Sequence, residues 1–143
     1  MKNLPLYIVD VFAEQKYAGN QLAVVLDTER TLSSEDMQRI ALEMNYSETT
    51  FILSDKPVNG GYDVRIFTPG EEVPFAGHPT LGTAFVLREA IIGKPIEKVL
   101  LNLKVGQIPV NFDAENMLWM QQIAPTFGKT LDLQRIADIL GLT

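Results

Sequence analysis

The chain has 143 residues, 46% of them apolar, a formal net charge of −6 and no cysteine. That supports one packed core without covalent staples, and the absence of thiols excludes a disulfide scaffold, a cysteine nucleophile, a paired-cysteine racemase and any thiolate metal site. The negative charge is spread along the chain and argues against nucleic acid or an anionic membrane as partner, while no apolar run approaches the roughly 20 residues that span a bilayer, which makes the cytoplasm the expected compartment.

Leu6 to Phe12 (LYIVDVF) and Leu22 to Leu26 (LAVVL) are β-branched and aromatic runs, predicted to pair across a Gly19-Asn20 turn. Asp10 interrupts the first run, where a charge is costly unless it is hydrogen-bonded or reaches the site; pairing with Arg65 is the bland alternative. Ser33 with Asp36 three residues on, and Leu32 with Met37, predict a capped and stapled helix start. Met37, Ile40, Ala41 and Met44 then form one apolar stripe. Thr49 to Leu53 and Tyr62 to Phe67 predict a hairpin around Pro57 to Gly61.

The next element carries the most information. Pro79 fits the first turn of a helix running towards Ile91, which places Gly77 and His78, the chain's only histidine, at its entrance. Leu81, Ala84, Phe85, Val86, Leu87, Ile91 and Ile92 wrap most of its circumference, so it reads as a buried central helix enclosed by sheet, stopped at Gly93. Val99 to Val105, Ile108 to Phe112 and Met117 to Ile123 are further strands. A connector follows from Ala124 to Lys129. The last helix has Asp132 or Thr130 as cap, Leu133, Ile136, Ala137 and Leu140 at helical spacing, and Gly141 as stop. No internal repeat stands out.

Glu48 lies in NYSETTF, where a helix has ended and a strand begins, a place that suits a carboxylate for taking a proton from carbon and returning it elsewhere. The bland alternative is a solvated loop acid. His78 stands where free helix N–H groups and the positive end of the dipole would receive a carboxylate or phosphate; its alternative is a capping or core histidine. A single imidazole with only carboxylates around it predicts no metal. Ser47 lacks a glycine-flanked elbow and is no nucleophile. Gly19-Asn20 either lines a pocket through backbone N–H groups or is simply a turn. Gly77 and Gly82 do not make a dinucleotide fingerprint.

MQRIALEMNYSETTFIL from Met37, RIFTPGEEVPFAGHPTLGTA from Arg65, and the early IVDVF and GN together resemble the PhzF-like family of phenazine-biosynthesis-type isomerases. The resemblance implies an α+β, diaminopimelate epimerase-like lobe, a mostly antiparallel sheet wrapped around a central buried helix. It implies cofactor-independent isomerisation of a small carboxylated substrate, with Glu48 as general acid and base and with Gly77, His78, Asn20 and Ser47 binding substrate. Family members usually follow Gly-Asn with proline, where this chain has Gln21. They are also longer, with a DxATGSA-like stretch in a second lobe that nothing here matches. The expected organisation is therefore an N-terminal lobe over residues 1–123, with residues 124–143 as the crossover and first helix of a truncated second lobe. Glu48 and His78 would then line one wall of a cleft, and the exposed interlobe face predicts a homodimer. A non-catalytic anion-binding or association module is the alternative.

Overall fold

Two helices on opposite faces of one sheet determine which residues this chain buries. In the computed structural model, which describes residues 3–115, 117–122 and 124–142, β1 (Leu6–Val11) and β2 (Asn20–Leu26) pair antiparallel, with Val11 opposite Asn20. β3 (Thr49–Ile52) lies parallel to β2 and antiparallel to β4 (Tyr62–Phe67). A tight turn cannot reach a parallel neighbour, and α1 (Ser34–Met44) makes that crossover. β5 (Glu72–Val73) pairs briefly with β4. α2 (Gly77–Val86) then carries the chain to β6 (Lys98–Leu103), which is again parallel to β4. With β7 (Gly106–Phe112) and β8 (Leu118–Met120) the sheet has the order β1-β2-β3-β4-β6-β7-β8, with β5 off this path.

α1 starts as its cap dictates. The Asp36 N–H donates to Ser33 Oγ at 3.0 Å, the Ser33 N–H donates back to the Asp36 carboxylate, and Asn45 at φ 53 ends the helix. Met37 and Ala41 bury against Val25, Phe51, Leu53 and Phe67. α2 packs on the other face and touches β1, β2, β3, β6 and β8. A helix that meets both β1 and β8, at opposite ends of the strand order, is embraced by the sheet, which is the expected α+β architecture. β2 is covered on both faces, so Leu22 to Leu26 are all buried instead of alternating. Close approach requires Gly82, where a Cβ would lie 2.6 Å from Leu22 Cδ2 and 2.8 Å from Val11 Cγ2. Beyond Val86 the helix widens into a π-helical turn, Leu87–Ile92, closed by Gly93 at φ 65.

Three expectations are corrected. Asn20 is not in a turn; it is the first residue of β2, and the connection is the longer loop from Phe12 to Gly19. Asp10 does not pair with Arg65. It is exposed on β1, so its charge meets no burial cost, while Arg65 donates from Nε and Nη2 to Glu72 at 2.8 and 2.7 Å. β8 begins at Leu118 because Asp113 draws the preceding turn tight, accepting from the N–H groups of Glu115 and Met117. Ile123, the last residue of the strand expected there, lies outside the described residues, as does Thr143.

α3 (Leu133–Leu140) is capped by Asp132 and ended by Gly141 at φ 66, as its signals predicted, yet none of its residues is buried. It also carries a repeat of α1. MQRIALEM followed by left-handed Asn45 in α1 corresponds position for position to LQRIADIL followed by left-handed Gly141 in α3. Leu133 and Ala137 thus occupy the positions of Met37 and Ala41. Among the described residues, no helix is long and apolar enough to cross a membrane.

Candidate active site

The link from Asn45 to Glu48 is fixed at one end by the left-handed cap of α1 and at the other by β3, a strand with neighbours on both sides. Glu48 therefore projects from the end of β3 towards the start of α2. A buried hydrogen bond holds that relation, Thr83 Oγ1 of α2 donating to Thr50 Oγ1 of β3 at 2.8 Å. The result is contact across 30 residues of sequence: His78 Nδ1 lies 3.0 Å from Glu48 Oε2. His78 is 9% exposed and the Glu48 side chain 19%, so the pair is shielded without being sealed.

The other imidazole nitrogen decides the protonation pattern. His78 Nε2 is 3.1 Å from the backbone carbonyl of Asn20. A carbonyl only accepts, so Nε2 carries a proton and donates it. Nδ1 faces Glu48 Oε2, which leaves Glu48 Oε1 for other chemistry.

α2 adds the electrostatic element. Its N-cap, Ala76, has no side-chain oxygen and makes no side-chain cap, so no side chain of the cap competes for the positive helix end. Gly77 lies under the end of β8, where an added Cβ would meet Met120 Cε at 3.1 Å and Gln122 Nε2 at 4.0 Å.

Of the residues singled out by sequence, the structure brings together Glu48, His78 and Asn20, the last through its carbonyl and not through N–H groups. Gly77 adjoins them at the helix entrance. Ser47 is exposed and takes no part in the hydrogen bonds that hold the pair. The Thr50–Thr83 tie has no sequence signal, since Thr80 and Thr83 both lie in the buried helix and neither reveals its partner. Nor does the sequence single out Phe12, whose ring centroid lies 6.4 Å from that of His78.

From residue 9 to residue 142 the chain matches the family model described as "Phenazine biosynthesis-like protein". It belongs to the PhzC-PhzF family. Among members of this family, the trans-2,3-dihydro-3-hydroxyanthranilate isomerase of Pseudomonas fluorescens is 56% identical over 144 residues, covering 95% of this chain and 50% of the relative. The Pseudomonas aeruginosa protein of the same name is 40% identical over 145 residues, with the same coverage. A crystal structure of a putative PhzC/PhzF protein from Clostridium difficile superposes with a TM-score of 0.75 at 30% identity, covering 99% of this chain and 52% of that one. A hydroxyproline epimerase from Agrobacterium vitis, at 13% identity and a TM-score of 0.54, shares the fold. The chain thus spans about half the length of the PhzC-PhzF relatives it matches.

Proposed function

We propose that this chain is the N-terminal lobe of a cofactor-independent PhzF-type isomerase that moves a proton on a small carboxylated ring by glutamate acid/base catalysis. The observation that carries the reading is the Glu48–His78–Asn20 chain of hydrogen bonds at the open end of α2. In this reading the substrate carboxylate sits at the helix entrance near Gly77, where N–H groups and dipole favour it. Glu48, as carboxylate, keeps Oε2 on the His78 Nδ1–H and takes a proton from substrate carbon through Oε1. The electron pair of the broken C–H bond moves into the unsaturated system next to the carboxylate, and Glu48 then delivers a proton, open to exchange with solvent while it is held, to another carbon. No electrons leave the substrate. His78 holds the carboxylate in place, Asn20 holds His78, and Ser47 remains a rim position for substrate contact.

Residues 124–142 are proposed as the crossover and first helix of a second lobe. The repeat of α1 in α3 supports this, because α1 uses the matching face to pack on a sheet. In a cleft formed with such a lobe, water is excluded from the carbanionic species. Until such a partner is supplied, the exposed apolar surface is proposed to associate with a second copy.

The test is turnover of trans-2,3-dihydro-3-hydroxyanthranilate, the compound for which the similar isomerases are named. Glu48→Gln is expected to lower the rate about 10³-fold, within the usual range for losing a general acid/base. An unchanged rate would overturn the assignment. Binding without turnover in the wild type would identify an anion-binding module.

A further inference from the structure

His78 has a third neighbour besides Glu48 and Asn20. Phe12 follows β1 directly, one residue after Val11, which is held opposite Asn20. The strand pairing that presents the Asn20 carbonyl to His78 therefore also fixes where Phe12 stands. Its ring is tilted 40° to the imidazole at 6.4 Å between centroids and is 71% exposed. Its backbone is in the left-handed region at φ 60, a conformation that disfavours a bulky side chain and that asparagine or glycine would adopt more easily. An exposed phenyl on a strained backbone contributes little to the core, and such strain gathers at functional sites.

We propose that Phe12 is a specificity-determining residue, the aromatic wall against which a flat, unsaturated carboxylate lies while its reacting carbon faces Glu48. This rests on the isomerase reading above and narrows its substrate class. An open aromatic face next to the acid/base pair stacks an unsaturated ring in offset geometry, whereas a puckered saturated ring of equal size and charge meets it poorly.

Because His78 is the only histidine, its ring C–H signals in NMR report ligand binding at this position without ambiguity. Benzoate and cyclohexanecarboxylate form the matched probe pair, alike in charge and ring size and different in flatness. The wild type is expected to bind benzoate about three- to tenfold more tightly, the range that aromatic pairing supplies. Phe12→Leu keeps apolar bulk and removes that preference, and Phe12→Tyr restores it. Equal affinity for the two probes in the wild type, or a preference that survives Phe12→Leu, would overturn the role of Phe12 and leave the Glu48–His78 site standing. If neither probe moves the His78 signals, the anion site fails and this inference fails with it. If Phe12→Leu changes self-association and not ligand choice, Phe12 serves the neighbouring apolar groove and the proposal is wrong.

Discussion

At the scale of residues, the proton on His78 Nε2 is the fixed point from which the rest follows. Asn20 offers only a carbonyl there, so the proton cannot move to a tautomer that leaves Nε2 bare without losing a hydrogen bond in a nearly buried site. Long-range ¹H–¹⁵N correlation of the single histidine should show a protonated Nε2 in the wild type and in Glu48→Gln. An unprotonated Nε2 would contradict the arrangement. The Thr83–Thr50 hydrogen bond is a second test. Thr83→Val leaves a buried hydroxyl on Thr50 without its donor and is expected to cost about 1–3 kcal/mol in urea unfolding. Replacing both threonines with valine should cost less than the sum of the single changes. Glu48 and His78 could be singled out from sequence because each sits at a recognisable junction. Their contact could not, because it depends on how a crossover helix seats against a central strand. The sequence predicts Phe12 as the end of a strand, since nothing in IVDVF signals the left-handed backbone it adopts.

At the scale of elements, capping chemistry was legible and strand ends were less so. The Ser33–Asp36 box, the Asp132 cap and the Gly93 and Gly141 stops act locally and were found where the residue types predicted them. β8 and the β1–β2 connection were misjudged, because they depend on the Asp113 turn and on the register of Val11 with Asn20. β4 and β5 carry a charged cluster with a readable pH signature. Glu72 is held below its ordinary value of 4.5 by hydrogen bonds from Arg65 first and from Lys104 next, against the opposing effect of burial. A lowered carboxyl pKa stabilises the fold above the ordinary range, and that contribution is lost as pH falls through the folded-state value. Glu72→Gln should therefore destabilise the protein at neutral pH by about 2 kcal/mol, by leaving Arg65 half-buried without its anion, and should flatten the fall in stability below pH 4.5. Equal acid sensitivity in the two proteins would show that the cluster contributes nothing.

At the scale of the whole molecule, the sheet curls around α2 but leaves an apolar groove of about 470 Å³, lined in part by Val9, Phe12, Leu81, Phe85 and Trp119. α3 adds a second apolar face, with Leu133 85% and Leu140 63% exposed. Exposed patches of this kind predict association. Sedimentation velocity should show a mass that rises with concentration through the micromolar range, and Ile136→Asp with Leu140→Asp should suppress the increase. A monomer at all concentrations would contradict that expectation. The wrapped architecture itself could be anticipated, because a helix apolar around most of its circumference has to be enclosed. The repeat of α1 in α3 is hard to see in sequence because its frame is set by the two left-handed C-caps, Asn45 and Gly141, which are different residue types.

The most direct test of the central claim is deuterium incorporation from D₂O into trans-2,3-dihydro-3-hydroxyanthranilate or its product in the presence of this chain, wild type against Glu48→Gln. A carboxylate that takes a proton from carbon exposes it to exchange, so the account predicts carbon-bound deuterium with the wild type and background levels with Glu48→Gln. Equal incorporation by the two proteins would contradict the account and place the proton transfer on another group.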